Sequence, residues 1–128
     1  MKEDDKLATT SLVSILLLTL HITDDIVRGL SEAEPANAPL LVLVMSLYGT
    51  LILGRSRVGN IIMMLVGLLA LAMPVIHMRG ARYGQIAASD GGFFFVWTLW
   101  ALGGFGGVTF VLSVRALWNL RRRGVTTV

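Results

Sequence analysis

The chain has no cysteine. Disulfides, thiolate metal sites, iron–sulfur clusters and covalently attached c-type haem are therefore excluded. Charge is scarce too: only 15% of the 128 residues are Asp, Glu, Lys or Arg. No segment carries a Ser/His/Asp order with a nucleophile elbow, a phosphate-cradling glycine loop after a strand, or H-E-x-x-H on a helix, so no enzyme signature is present. The net charge of +3 and pI near 10 would suit nucleic acid, but the arginines do not alternate with aromatics along an amphipathic surface. They stand at the ends of apolar runs.

What the chain has instead is apolar residues, 55% of the total, gathered into four blocks. These predict a single all-α membrane domain of four transmembrane helices in an up-and-down bundle, at about 7–27, 39–54, 58–78 and 93–114, with a basic tail over 115–128. A β-barrel is disfavoured because the runs lack two-residue alternation. Pro39 falls in the first turn of the second helix, where its missing N–H costs nothing. Pro74 should kink the third near its end. A competing reading makes the first block a secretory leader, with Lys2 and Lys6 ahead of the apolar stretch and Ala36-Asn37-Ala38 as a cleavage site. Glu3-Asp4-Asp5 and Pro39 argue against it.

Basic residues set the orientation. Lys2, Lys6, Arg55, Arg57, Arg115, Arg121, Arg122 and Arg123 fall on one side, and Arg28, Arg79 and Arg82 on the other. By the positive-inside rule both termini are cytoplasmic. The lipid bilayer is then the first partner. Gly103 and Gly107 make a small-xxx-small pair through which helix four would pack within the chain, in a homo-oligomer, or on a larger membrane partner.

The chemistry concentrates where the first block is least compatible with lipid. His21, Asp24, Asp25 and Arg28 stand at i, i+3, i+4 and i+7, on one stripe that Ser14 and Thr10 extend backwards. A stripe of this kind faces the bundle interior or water. Its structural reading is an ion pair of Arg28 with Asp24 or Asp25 that fixes helix depth. Its functional reading adds His77, placed by topology in the outer half of helix three: His21, Asp24, Asp25 and His77 then form a cation or proton site open to the outer face. Such ligands suit a divalent metal, while two histidines alone suit b-type haem. Against haem, His21 sits about one turn deeper than His77, roughly 6 Å.

Other features have plainer explanations. Phe93, Phe94, Phe95, Trp97 and Trp100 read as an interfacial belt rather than a quinone pocket. Trp118 and the Arg121–Arg123 triplet read as an anchor to anionic headgroups. Met63, Met64, Met73 and Met78 read as packing, and Asn60 as an interhelical hydrogen-bond donor. A lipid-directed enzyme using an aspartate and a histidine as acid and base would need a lateral opening.

The segment His21 to Gly29, H-x-T-D-D-x-x-R-G, together with Pro74-Val75-Ile76-His77-Met78 and Phe93 to Leu99, resembles a group of small bacterial four-helix membrane proteins. The resemblance covers the whole chain. It implies a bacterial setting and carries no activity, cofactor or partner. The expectation is thus a multi-pass protein binding or conducting a cation or proton at the outer ends of helices one and three. The alternatives are a non-catalytic scaffold docking through the glycine face of helix four and a b-type haem electron carrier.

Overall fold

The computed structural model describes residues 3–29 and 38–125, and every regular element among them is helical. Helix α1 spans Glu3–Val27, α2 Ala38–Leu51, α3 Arg57–Met78, α4 Tyr83–Ala87 and α5 Gly92–Val125. Three of these, α1, α3 and α5, are long and apolar enough to cross a membrane. At 14 residues, α2 is also apolar, but at 1.5 Å per residue it measures about 21 Å, short of the ~30 Å hydrocarbon layer.

Each boundary has a local cause. Acidic residues gather in the first turn of α1, where the helix dipole favours them, and Gly29 at φ 67° ends that helix in the left-handed conformation. Ser56 caps α3 by accepting from the Gly59 N–H at 3.0 Å. The basic segment expected as a tail from 115 is instead the last part of α5, which stays helical to Val125. Nothing breaks it: Ala116, Leu117 and Leu120 are strong helix formers, and no glycine or proline intervenes before Gly124. The loop after α3 holds one short helix, α4. The cleavage reading at Ala36-Asn37-Ala38 falls largely outside the described residues.

Burial runs opposite to that of a water-soluble domain. Leu16, Leu51, Leu65, Trp100 and Val111 are each more than half exposed, whereas Ser11, Ser14, His21, Ser46, Thr50, Asn60, Thr98, Thr109 and Ser113 are buried. An apolar surface around a polar interior is what a lipid surround favours, since polar groups find partners only inward.

The tightest seam joins α3 to α5. A Cβ on Gly103 would lie 2.6 Å from the Pro74 ring, and one on Gly106 would lie 2.5 Å from the Ala70 methyl. Only glycine lets the backbones come this close. The glycine face of the fourth block is therefore taken up by α3 of the same chain, and Gly107 meets Leu71 in the same seam. The helix runs unbroken through Pro74. The Ala70 carbonyl, which loses its usual donor to the proline, faces Gly103. Ser11 meets Thr50, and His21 meets His77, so α1 and α3 run the same way and α2 returns between them.

Candidate metal centre

The last two turns of α1 bring His21 and Asp25 to one face at i, i+4, and α3 delivers His77 one turn after Pro74. His21 Nε2 and His77 Nε2 lie 3.4 Å apart. Asp25 Oδ2 is 4.0 Å from the first and 3.8 Å from the second. One ligand atom from each of the three falls within 4.8 Å of the others. His21 is 1% exposed, and Asp25 and His77 are partly buried.

The neighbours of the two rings fix their tautomers. His77 Nδ1 is 3.1 Å from the Met73 carbonyl, which can only accept, so the proton is on Nδ1. His21 Nδ1 faces Thr98 Oγ1 at 3.4 Å. That hydroxyl already gives its hydrogen to the carbonyls of Phe94 and Phe95, at 2.9 and 3.0 Å, and can only accept from the ring. The two Nε2 atoms therefore face each other beside Asp25, where they can share a proton or hold an ion. Such outer partners are how proteins hold metal-binding histidines in their ligating tautomer.

The two aspartates are sorted by Arg28. Its Nε donates to Asp24 Oδ2 at 2.7 Å, and its Nη1 donates to Ser89 Oγ at 3.0 Å. Asp24 is thereby turned away from the histidines, and of the four ligands expected from the sequence the structure brings together His21, Asp25 and His77. Asp25 Oδ1 is buried with no hydrogen-bond partner among the described residues, and a buried acceptor in that state calls for an unseen donor or cation.

Phe95 was grouped with the belt aromatics, but it leaves the belt. It is 1% exposed and packs at 5.1 Å from the His21 ring and 6.0 Å from the His77 ring, with the Arg28 guanidinium over it. Phe93, Phe94, Trp97 and Trp100 stay on the surface. Thr98, Phe95 and Ser89 escaped the sequence reading because a threonine or phenylalanine in an apolar run carries no sign of what it will face. Asn60 also differs from expectation: its Nδ2 donates to the Ser56 carbonyl of its own helix, at 2.9 Å.

A cavity of about 190 Å³ opens beside the cluster, lined by Asp25, His77, Gly80, Arg82, Tyr83, Ile86 and Phe95. It lies below the roughly 300 Å³ at which small-molecule pockets begin. The imidazoles themselves are in edge contact, with centroids 4.9 Å apart. No porphyrin fits between them, so haem is not supported. No family model, curated protein or solved structure matches the chain, and its chemistry rests on this geometry.

Proposed function

We propose that the chain is a multi-pass membrane protein that binds a divalent transition metal, zinc best of all, through His21, Asp25 and His77. The observation that carries this reading is the pair of Nε2 atoms facing each other at 3.4 Å beside Asp25. Two ligands at the 2.0–2.1 Å zinc–nitrogen distance in a tetrahedron are separated by about 3.3 Å. The imidazoles are thus already spaced for the ion, and the carboxylate needs to close by only about half an ångström to complete the face. Three protein ligands leave a fourth position open. Structural zinc sites fill all four, whereas sites that exchange ligands or act on them keep one free. Here it falls on the side of the cavity under α4.

Four crossings are supported by the common direction of α1 and α3, since the chain must recross to begin α3, and α2 is the segment that does so. The Arg115 and Arg121–Arg123 cluster continues α5 beyond the end that holds Arg55 and Arg57. By the positive-inside rule this basic end would face the cytoplasm and the metal centre the outer side, and the resemblance to small bacterial membrane proteins suggests an inner membrane. The scaffold alternative keeps less support, because its glycine face is occupied by α3. Gly104, with open space beside it, is the part still available to another molecule.

Elemental analysis of the purified protein after zinc loading and desalting tests the reading. Close to one zinc per chain is expected, falling to background in His21→Ala and His77→Ala. Equal zinc content in wild type and both variants would reject it.

A further inference from the structure

A second buried polar region lies in the opposite half of the bundle. Ser11 Oγ and Thr50 Oγ1 are 2.7 Å apart, and Ser14 Oγ and Thr109 Oγ1 are 3.3 Å apart. Ser46, Asn60 and Ser113 are buried in the same half. Counting protons shows what this layer lacks. Thr50 gives its hydrogen to the Ser46 carbonyl, so Ser11 is the donor to Thr50; Ser14 gives its own to the Thr10 carbonyl, so Thr109 is the donor to Ser14. Ser113 Oγ and Asn60 Oδ1 then have no partner among the described residues. Buried oxygens in that state call for water or a cation.

Water has a route to the edge of this layer, at Thr50. A cavity of about 270 Å³ reaches Thr50 and Met63 from the end of the bundle, past Asp4, Asp5 and Arg55. At about 30 Å³ each, several waters fit.

Between the two polar regions stands a thin apolar wall. Along α1, His21 and Ser14 are separated by about 10 Å, from the helical rise over seven residues. Leu17, Leu18, Ala70 and Leu102 fill that layer, each 6% exposed or less. The same layer holds the Pro74–Gly103 and Ala70–Gly106 contacts. Proline removes a hydrogen bond from α3, and Gly103, Gly104, Gly106 and Gly107 weaken α5, so both helices bend most easily at the level of the wall.

We propose that the chain is a cation conduit. The metal centre is its loading site, the Leu17, Leu18, Ala70 and Leu102 layer is its gate, and the Ser11, Thr50, Asn60 and Ser113 layer is a hydrated chamber on the far side. Neutral hydroxyl and amide oxygens suit the far side, because an ion that has left imidazole and carboxylate must be held weakly enough to move on. A dry constriction between two wet regions blocks ions until bending lets water through. The identity of the ion rests on the metal reading above; the chamber does not.

The absence of native cysteine makes the test clean. Single Ser11→Cys, Thr50→Cys, Ser113→Cys and Leu18→Cys variants of the full chain, reconstituted in lipid vesicles, are treated with a charged thiosulfonate on each side. The first three should react roughly a hundredfold faster than Leu18→Cys, since only a hydrated thiol ionises and meets the reagent. In parallel, vesicles loaded with a zinc-sensitive dye should fill about tenfold faster with the wild type than without protein, faster still with Leu102→Ser or Leu18→Thr, and slowly with His77→Ala. Chamber thiols as inert as Leu18→Cys would overturn the proposal. Zinc that binds in detergent but enters no faster, in the wild type and both gate variants, would overturn the conduit and leave the binding site standing. Zinc that does not bind at all removes both.

Discussion

Replacing Thr98 by valine tests the metal centre at a position that touches no metal ligand atom directly. The side chains are nearly isosteric and Thr98 is wholly buried, so packing is preserved while the acceptor facing His21 Nδ1 disappears. The Phe94 and Phe95 carbonyls lose a hydroxyl donor but can keep their helical N–H bonds. His21 is left with a buried N–H and no acceptor, at a cost of about 1–3 kcal/mol. The ring escapes that cost by moving its proton to Nε2, the nitrogen the metal needs. Outer-partner losses at metal sites typically lower affinity by about 10- to 100-fold, or roughly 1.4–2.8 kcal/mol at about 1.4 kcal/mol per decade. The contact is long at 3.4 Å, which places the effect near the lower bound, about tenfold. Competition titration with a zinc chelator in detergent reads it directly. Thr98→Ser keeps the hydroxyl and should stay within about threefold of wild type. If Thr98→Val binds zinc as tightly as wild type while His21→Ala does not bind, the tautomer argument is wrong.

Other consequences follow from the same coordinates. Asp25→Asn should lower zinc affinity by about tenfold or more, because it removes the only anionic ligand, whereas Asp24→Asn should change it little; chelator titration of the pair checks the division of labour. Zinc binding competes with protons for the imidazole nitrogens, so affinity should fall as the pH is lowered from neutral, with proton release measurable by calorimetry in buffers of different ionisation heat. A flat profile would point to other ligands. Gly106→Leu should destabilise the fold by about 1–3 kcal/mol through collision with Ala70, seen as a lower Tm, while Gly104→Leu, facing open space, should be nearly neutral.

The sequence made the direction of α1's polar stripe legible because an i, i+4 pair such as His21 and Asp25 has nowhere in lipid to go. It also placed His77 in the same outer half, about one turn shallower than His21, and the structure closes that offset by bringing the two rings to 4.9 Å between centroids. What it left open was which carboxylate serves. Asp24 and Asp25 are adjacent, and each is within reach of both His21 and Arg28 by helical spacing. The decision depends on Ser89, 61 residues away from Arg28, which holds the guanidinium over Asp24. The helical course of 115–125 was hidden for a different reason: a run of arginines marks the membrane boundary, and leaving the membrane is not the same as leaving the helix.

That division between two neighbouring aspartates explains how ionisable groups are tolerated in one helical turn at a bilayer edge. Asp24 and Arg28 cancel each other at 2.7 Å, so the pair adds no net charge and can sit partly buried. Asp25 faces the two imidazoles instead, His77 Nε2 at 3.8 Å and His21 Nε2 at 4.0 Å, and its Oδ1 has no hydrogen-bond partner among the described residues. A proton on His77 Nε2 can reach Asp25 Oδ2 at 3.8 Å or His21 Nε2 at 3.4 Å, but it satisfies only one of these contacts at a time. A divalent ion satisfies these contacts at once, and none of the surrounding side chains has to change its hydrogen bonds to admit it. On the proposed reading the cluster is a receptor for a cation, and the Asp24–Arg28 pair alone suffices to fix helix depth.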